Sequence, residues 1–486
     1  MSTFVSSRYN FAIPIDAEFL LYNSSSGSVI GLSGPDCASL ISEIANSPKP
    51  VSVDAFEPEL FKQLIAGSFL VMQGVDEVAA IRERFQSART HTPAVLTITT
   101  TMDCNLGCYY CYEERSGDQL AVSGVPEVVE MARRLLVKGG KDSLHVDWYG
   151  GEPLMNLPFL DAASLALQDL CSTLKIAYSA SVISNGTKWP KDVRLFVRRH
   201  KIRQVQISFD GMRENHDKRR RYHKGYATGG SSSFDKAVEL VSVLVTAVRV
   251  DLRFNIDRGN RDDVLPFMRF ARSKGWFDSN YDAVFQPARL AAYTERSGFM
   301  RNTELSLDEY EEIRRMVREE SESAIAVAEA EVPDKFPYPR SSVCAALAKS
   351  SVVVGADSKL YRCGLQVGER ARAVGDVPTF QSGPLQILNN LEMQAGSDLE
   401  WWDRFDPTSL SSCSRCSFLP VCWGGCPKKH LEQDTHALLE QGQYWRRNLP
   451  RLVAEGVGRT CQPEFSFGES DQFRMTQSGD LLVKAI

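Results

Sequence analysis

Cysteines are the residues of this sequence most able to do chemistry, because most of the twelve lie in two groups. In the first group, Cys104, Cys108 and Cys111 have the spacing Cys-x3-Cys-x2-Cys. Thiolates are soft ligands that select iron–sulfur clusters or zinc. A structural zinc site normally takes four protein ligands, and no fourth candidate lies nearby in the sequence. Three thiolates on one short loop can instead hold a four-iron cluster and leave one iron without a protein ligand.

The second group lies near the C-terminus and consists of Cys344, Cys363, Cys413, Cys416, Cys422, Cys426 and Cys461. In a chain without an export signal, clustered cysteines indicate metal ligands before disulfides. Zinc knuckles and ribbons also use Cys-x2-Cys pairs, so zinc stays open as an alternative for this group. Cys171 falls on the apolar face of a predicted helix, where it is expected to be a buried hydrophobic residue.

The elements that must position the first group are strands alternating with helices. Apolar or β-branched runs occur at 95–100, 144–148, 181–184, 205–209, 250–256 and 284–286. Amphipathic segments lie between them at 126–138, 159–174, 234–247 and 262–273. This alternation predicts an α/β fold with a parallel sheet of six strands, which is an open or partial (β/α)6 TIM-like barrel. In such a barrel, chemistry takes place at the carboxyl ends of the strands.

Composition and charge exclude some classes of protein. The formal net charge is −5, which argues against bulk nucleic acid or an anionic membrane as the main partner. The first residues lack a secretory signal, and no apolar run reaches the length of a membrane span. A cytoplasmic metalloprotein is therefore expected. The basic run 218–221 is expected to be solvated or salt-bridged rather than an RNA site, and His216 is given no catalytic role.

The first cysteine group resembles that of the radical S-adenosylmethionine (SAM) enzymes. The match covers the three cysteines, Tyr110 before the third of them, and Gly150-Gly151-Glu152-Pro153 after the next strand. The resemblance implies that the cysteines hold a [4Fe–4S] cluster whose open iron chelates the amino and carboxylate groups of SAM. One electron then cleaves the sulfonium and yields a 5′-deoxyadenosyl radical that abstracts hydrogen.

The resemblance also implies a set of SAM contacts at successive strand ends. Glycines let the backbone approach a ligand closely, a glutamate can accept hydrogen bonds from the methionine ammonium, and an aromatic residue offers a surface to adenine. Residues that end the third strand would reach ribose or carboxylate. The candidate contacts are Tyr110, Gly150, Gly151, Glu152, Ser184, Asn185, Ser208 and Asn255.

The C-terminal cysteines resemble those of the SPASM domain, an extension of some radical SAM enzymes with two auxiliary [4Fe–4S] clusters. The segment Cys422-Trp423-Gly424-Gly425-Cys426-Pro427 carries the clearest similarity. The resemblance assigns three ligands to auxiliary cluster I and leaves its fourth ligand open. It assigns four ligands to auxiliary cluster II. The two sets are Cys344, Cys363 and Cys426 for cluster I, and Cys413, Cys416, Cys422 and Cys461 for cluster II.

Two departures from the family pattern bear on the substrate. Ser358 stands where family members usually have a glycine, five positions before the second SPASM cysteine. Anaerobic sulfatase-maturing enzymes tend to place an aspartate just after that cysteine, whereas here Cys363 is followed by Gly364-Leu365-Gln366. The second departure weakens the assignment of formylglycine formation.

Residues 1–92 predict a small α+β unit. A hairpin is expected from the runs 19–22 and 28–32 around the turn-forming segment 23–27, with helices at 35–45 and 55–66 and a strand at 69–72. The unit loosely resembles the winged-helix element that binds leader peptides of ribosomally made natural products. Such modules add a peptide strand to an exposed sheet edge. A plain structural extension is the alternative.

Together these features predict a peptide (RiPP) maturase. The expected domains are a recognition unit at 1–92, a radical SAM core at 93–332, a SPASM domain at 333–470 and a tail at 471–486. The expected reaction is hydrogen abstraction from a ribosomally made precursor peptide, followed by a thioether, carbon–carbon or carbon–oxygen crosslink. The expected partners are that peptide and an electron donor such as flavodoxin or ferredoxin, without membrane or nucleic acid. The alternatives are modification of a protein in the manner of sulfatase maturation, and a non-catalytic zinc scaffold.

Overall fold

The computed structural model describes residues 3–15, 18–34, 40, 41, 44, 50–52, 54, 56–113, 115–226, 232–324, 336–377, 398–461 and 465–467. Most of the predicted helix at 35–45 lies outside these residues, and so does the predicted tail at 471–486.

In the N-terminal segment, the described residues form five strands and two complete helices. The strands β2, β3 and β4 form an antiparallel sheet in that order, and β1 pairs antiparallel with β5. The predicted hairpin is confirmed, because Glu18–Asn23 pairs antiparallel with Val29–Leu32. In its turn, the Asn23 side chain accepts hydrogen bonds from the backbone N–H groups of Ser25 and Ser26. The elements are β1 (Phe4–Ser6), β2 (Asn10–Ile15), β3 (Glu18–Asn23), β4 (Val29–Leu32), α1 (Pro58–Ala66), β5 (Leu70–Met72) and α2 (Glu77–Thr90).

Strands then alternate with helices, as predicted, and all six predicted strands are present. They lie side by side in parallel from β6 to β11. The elements are β6 (Ala94–Thr99), α3 (Val125–Gly139), β7 (Ser143–Tyr149), α4 (Leu157–Leu174), β8 (Ala177–Ser184), α5 (Val193–Arg199), β9 (Ile202–Phe209), α6 (Arg213–Arg219), α7 (Ser233–Leu244), β10 (Arg249–Ile256), α8 (Val264–Ser273), β11 (Ala283–Arg289) and α9 (Leu307–Ala324).

The described residues of the cysteine-rich segment add three strands to this sheet. Strand β12 pairs in parallel with β6, and β13 and β14 follow antiparallel, so the full order is β11-β10-β9-β8-β7-β6-β12-β13-β14. Strand β6 is therefore an interior strand. The elements are β12 (Ser351–Val354), β13 (Lys359–Tyr361), β14 (Gly375–Asp376), α10 (Asp398–Arg404), α11 (Leu419–Cys422), α12 (Pro427–Leu431) and α13 (Thr435–Gly456).

The two faces of the parallel sheet differ in chemistry. In β7, Leu144, Val146 and Trp148 are buried and belong to the hydrophobic core that the sheet forms with its helices. The alternate residues point to the other face, because side chains along a strand alternate. There the Asp147 carboxylate accepts hydrogen bonds from Ser181 and Thr97. One face thus packs the core, while the other carries polar groups.

The chain divides into two compact units. The first, here called the terminal unit, contains residues 1–90, 333–343 and 404–486. The second, the sheet unit, contains residues 91–332 and 344–403. In the terminal unit, Phe11 and Leu20 of the N-terminal strands share one core with Leu449 and Val453 of α13. The predicted SPASM segment, 333–470, contributes residues to both units, and the predicted domain boundaries stay predictions.

Among the described residues, no helix combines the length and apolar character that crossing a bilayer requires.

Candidate functional site

The cysteine loop follows β6 directly, at the carboxyl edge of the parallel strands. The Cys104 thiol accepts hydrogen bonds from the backbone N–H of Leu106 at 3.4 Å and from Asn185 Nδ2 at 3.6 Å. Burial raises the pKa of Cys104 and of Cys111 to about 12. Burial also raises the pKa of Cys108, although the Arg220 guanidinium opposes this shift. Without a bound cation these buried thiols hold their protons.

The donor set of this loop fits an iron–sulfur cluster. Three soft sulfur ligands share one short loop, and a metal's positive charge is what turns such thiols into thiolates. Among the described residues, no three His, Cys, Asp or Glu side chains converge closely enough to hold a single metal ion. A four-iron cluster is larger than one ion, so thiolates that ligate it are spread further apart.

At Gly150 and Gly151, the end of β7 packs closely against the backbone of the cysteine loop and is hydrogen-bonded to it. The Gly151 N–H donates to Thr101 O at 3.0 Å, and the Glu152 N–H donates to Asp103 O at 2.9 Å. A Cβ on Gly150, which has φ +130°, would lie 2.3 Å from Thr101 O, and a Cβ on Gly151 would lie 2.4 Å from Asp103 O. The close approach that the two glycines allow is therefore to the backbone of the cysteine loop.

Three predicted SAM contacts meet beside this loop. The buried Glu152 carboxylate accepts hydrogen bonds from the Ser184 hydroxyl at 3.0 Å and from the Asn185 N–H at 2.7 Å. Asn185 Nδ2 also donates to Asn105 Oδ1 at 3.0 Å, which ties the end of β8 to the cysteine loop. Burial raises the pKa of Glu152 to about 7, although the bonds from Asn185 and Ser184 oppose the shift.

The raised pKa of Glu152 predicts a pH-dependent stability of the cofactor-free protein. Between pH 4.5 and 7 the folded chain keeps a proton on Glu152 that the unfolded chain has released, so stability should fall as the pH rises through this window. The contribution expected from Glu152 is about 3 kcal/mol. Denaturant unfolding at several pH values would measure the total fall, and Glu152→Gln should remove the Glu152 contribution while that of Glu113, whose pKa burial also raises to about 7, stays. The exposed Glu239 supplies the control, because the Glu239→Gln variant should show the same dependence of stability on pH as the wild type. An unchanged slope in Glu152→Gln would contradict the prediction.

A buried ion network forms the other side of the site. The Tyr110 hydroxyl donates to Asp210 Oδ1 at 2.8 Å, and Arg220 Nη1 donates to the Tyr110 oxygen at 2.6 Å. Asn255 Nδ2 donates to Asp210 at 3.2 Å, so the structure brings the predicted contacts Tyr110 and Asn255 together. Arg219 bridges Asp210 and Asp257 with N···O distances of 3.3 and 3.0 Å.

This network includes two residues of the basic run at 218–221. The expectation of salt bridges is confirmed for Arg219 and Arg220, which are buried in ion pairs rather than solvated. Sequence reasoning missed their place in the site. The sequence could have indicated this place, because Asp210 and Asp257 follow neighbouring parallel strands and therefore meet at one edge of the sheet. Ser208, a further predicted contact, is half-buried in β9, two positions before Asp210.

Three more residues of this region, Glu113, Tyr112 and Tyr149, were not predicted as site residues. Glu113 follows the cysteine loop, and burial raises its pKa to about 7, although a hydrogen bond with Tyr149 opposes this. The Tyr112 and Tyr149 hydroxyls form a hydrogen bond with each other. A cavity of about 600 Å³ opens beside these groups, and Cys108, Cys111 and Glu113 are in its wall. This part of the sheet unit thus combines cysteine thiols, buried carboxyl groups and a volume that can hold a small molecule.

A second cavity, of about 610 Å³, lies in the terminal unit and has Cys413, Cys416 and Cys422 in its wall. Burial raises the pKa of Cys413 to about 11 and that of Cys422 to about 12. The chain turns sharply after Cys422, because Trp423, Gly424 and Gly425 all have positive φ. Three sulfur ligands around one cavity fit a metal cluster by the chemistry of the donor set.

The remaining predicted auxiliary ligands are distributed between the units. Cys461 is buried in the core of the terminal unit, and Cys426 belongs to the same unit. Cys344 and Cys363 belong to the sheet unit. The assignment of Cys344, Cys363 and Cys426 to one cluster stays a prediction.

Comparisons with known proteins agree with this geometry. Residues 98–278 match the family described as the Radical SAM superfamily. A GTP 3′,8-cyclase from Synechococcus sp. (strain CC9605) is 28% identical over 194 residues, which cover 37% of this chain and 54% of that protein. The chain thus spans about half the length of the curated relatives it matches.

Solved structures of the enzyme anSMEcpe share the fold. Native anSMEcpe, an anaerobic sulfatase-maturating enzyme, with bound AdoMet aligns with a TM-score of 0.55 at 17% identity, covering 75% of this chain and 100% of that chain. SuiB of Streptococcus suis bound to the precursor peptide SuiA aligns with a TM-score of 0.43 at 15% identity, covering 87% of this chain and 95% of that chain. The predicted fold class is confirmed. The segment that matches the radical SAM family begins near the end of β6 and contains the cysteine loop and the strands β7 to β10.

Proposed function

We propose that the protein is a radical SAM/SPASM maturase that modifies a ribosomally made precursor peptide, most specifically by forming a crosslink. The observation that carries this proposal is the junction of the cysteine loop with Glu152, Ser184 and Asn185 at one edge of the parallel sheet. A radical SAM domain implies a [4Fe–4S] cluster and SAM. When bound, these groups supply the electron and the 5′-deoxyadenosyl radical for hydrogen abstraction.

The residues of the site have distinct roles in this proposal. Cys104, Cys108 and Cys111 would ligate the cluster. Glu152 would accept hydrogen bonds from the methionine ammonium, and its pKa near 7 would fall when that cation binds beside it. The bonds from Ser184 and Asn185 already hold the carboxylate in place, so little side-chain freedom is lost on binding. Tyr110, fixed by Arg220, would present its ring and backbone to adenine.

Auxiliary [4Fe–4S] clusters in the second cysteine group are part of the proposal, and metal analysis tests them. We expect anaerobically reconstituted protein to be brown and to contain about a dozen irons per chain, the sum of three four-iron clusters. The triple replacement of Cys413, Cys416 and Cys422 by serine should remove about four irons and leave SAM binding unchanged. A colourless protein with zinc in place of iron would contradict the proposal and favour the zinc scaffold.

The choice of a peptide as substrate has two supports. The fold is shared with anSMEcpe, whose structure with bound AdoMet and a Kp18Cys peptide aligns at a TM-score of 0.54 and 18% identity. In addition, β4 is at the edge of the sheet β2-β3-β4, where an extended peptide could add a strand. Gly31 in β4 is exposed, and a Cβ there would meet no atom within 4 Å.

Incubation with a precursor peptide encoded by a neighbouring reading frame tests the substrate. We expect the reconstituted protein to retain the peptide in a pull-down and, with SAM and reductant, to change its mass by the loss of two hydrogens. Tandem mass spectrometry should locate a link between two residues, and the Cys108→Ala variant should retain the peptide without changing its mass. Loss of two hydrogens without a link would favour the sulfatase-maturase type of reaction. SAM cleavage without peptide binding or mass change would refute the peptide proposal.

A further inference from the structure

We propose that Arg253 binds a carboxylate of the peptide substrate, either an acidic side chain or the C-terminal carboxylate. The proposal rests on the proposed function, because it names the chemical class of peptide that the site selects. Arg253 is a half-buried residue of β10, in register with Ser208 of β9 and Gln286 of β11. Leu252 and Phe254 on either side of it belong to the hydrophobic core, so Arg253 is on the polar face of the sheet.

The guanidinium group of Arg253 has donors that the described part of the chain leaves for a ligand. Its Nε donates to Asn255 Oδ1 at 3.1 Å, which fixes one edge of the group. Among the residues that the structure describes, neither Nη atom has a hydrogen-bond partner and Arg253 forms no ion pair. Arginine presents its N–H donors as a planar fork, and the Nη donors of such a fork match the two oxygens of a carboxylate.

Other arginines that lie near Arg253 in the sheet unit are paired with acids. Arg249, on the same strand and face, is 3.1 Å from an oxygen of Asp251. Arg220 is buried 3.3 Å from an oxygen of Asp210. Holding a positive charge away from water is unfavourable unless an anion accompanies it. A ligand that brings its own carboxylate would give Arg253 the partner that these arginines already have.

Two tyrosines place this guanidinium close to the cysteine loop. Burial raises the pKa of Tyr112, which directly follows Cys111, and the positive charge of Arg253 opposes that shift. Burial also raises the pKa of Tyr310, and the charges of Arg314 and Arg253 oppose this shift. Because the effect of a charge falls with distance, Arg253 lies near both hydroxyl groups. A carboxylate bound to Arg253 would therefore lie beside the loop where the proposed radical chemistry takes place.

Position favours the peptide over SAM as the source of the carboxylate. The Glu152 carboxyl group, the proposed partner of the methionine ammonium, is hydrogen-bonded to Ser184 and Asn185 at the end of β8. The amino and carboxylate groups of SAM share one carbon atom, so the SAM carboxylate stays near Glu152. Arg253 belongs to β10, which is two strand spacings, or about 10 Å, from β8.

Peptide affinity, measured by fluorescence anisotropy on the reconstituted protein with SAM, tests the proposal. The probe is the labelled precursor peptide encoded by a neighbouring reading frame. We expect Arg253→Gln to raise its dissociation constant at least about thirtyfold, the cost of removing one partner of a buried charge pair. Arg253→Lys should restore little of the affinity, because an ammonium group lacks the planar fork.

Variants of the peptide identify the carboxylate. Each acidic residue of the peptide is changed singly to its amide, and a further variant carries a C-terminal amide. One of these changes should weaken binding to the wild type as much as Arg253→Gln does. The same change should weaken binding to the Arg253→Gln protein by less than about twofold, because the interaction is already lost. The measurements on the wild type need no change in the protein, so they test the proposal even if Arg253→Gln is unstable.

Arg203→Gln supplies the control for loss of a positive charge. Arg203 is an exposed residue near the start of β9, and its replacement should leave the dissociation constant unchanged. Equal peptide affinities of the wild type and Arg253→Gln would overturn the proposal and leave the peptide function standing. The same holds if no peptide variant reproduces the loss.

SAM affinity separates the two sources of a carboxylate. If Arg253→Gln lost affinity for SAM and kept its affinity for the peptide, the proposal would be overturned and the guanidinium assigned to the SAM carboxylate. A wild-type protein that does not bind the peptide would overturn the proposed function, and the role of Arg253 with it.

Discussion

Replacing Cys108 by alanine is expected to lower the production of 5′-deoxyadenosine by more than about a hundredfold. Loss of a residue that only supports a metal ligand already costs about 10- to 100-fold in metal affinity or activity, and loss of a ligand should cost more. Cys108 is the middle residue of the cysteine trio, and its thiol lines the cavity of the sheet unit. Two sulfur ligands would leave two irons of the cluster open. Iron content, the absorbance of the reconstituted protein and SAM cleavage with dithionite measure the effect, and Cys104→Ala and Cys111→Ala should behave alike.

A cysteine outside the loop provides the matched control. Cys171 is buried in α4 within the hydrophobic core of the sheet unit, as the sequence predicted. Cys171→Ala removes the same atoms from a site without a proposed metal role, so iron content and SAM cleavage should match the wild type. Full 5′-deoxyadenosine production by any one of the three loop variants would show that the ligand assignment is wrong.

The second large effect is expected from Gly151→Ala, which adds a single methyl group. That methyl group would lie 2.4 Å from Asp103 O, a backbone atom that cannot move alone. The cysteine loop must therefore shift, and overpacking of this kind costs about 1–3 kcal/mol. Because the loop carries all three proposed sulfur ligands, we expect a lower melting temperature of the cofactor-free protein and a lower iron content after reconstitution.

Gly124→Ala tests whether the effect comes from the contact. Gly124 precedes α3, and a Cβ built there meets no atom within 4 Å. Both variants make the same chemical change, so only the variant at the loop should lose iron. A Gly151→Ala protein with the stability and iron content of the wild type would mean that the loop tolerates displacement, and that the hydrogen bonds between the loop and the end of β7 do not position the ligands.

Patterns that repeat along the chain made much of the fold predictable. Strand β7 has apolar residues at Leu144, Val146 and Trp148, and this alternation defines both the strand and its buried face. The spacing of Cys104, Cys108 and Cys111 likewise fixes a local loop, whatever the rest of the chain does. The hairpin around Asn23 was predictable for the same reason, since a turn depends on its own residues.

The salt bridges of the basic run were expected, but their partners, which lie far apart in the chain, escaped prediction. Arg219 and Arg220 look like a surface charge run, and only the neighbouring ends of β9 and β10 show that Asp210 and Asp257 meet them. A charged residue in sequence carries no sign of whether its partner is water or a buried carboxylate. Glu113 was missed because its raised pKa comes from burial, which its neighbours in sequence do not reveal.

The parallel pairing of β12 with β6 has a consequence for shortened versions of this protein. Shortening the chain to end at residue 332 would keep all six predicted strands. It would remove β12, however, and leave the backbone groups on one side of β6 without a hydrogen-bonding strand. Such a bare flank is a template for intermolecular strand pairing. The shortened protein should self-associate on size-exclusion chromatography, so an isolated catalytic core is best designed to retain residues 344–377.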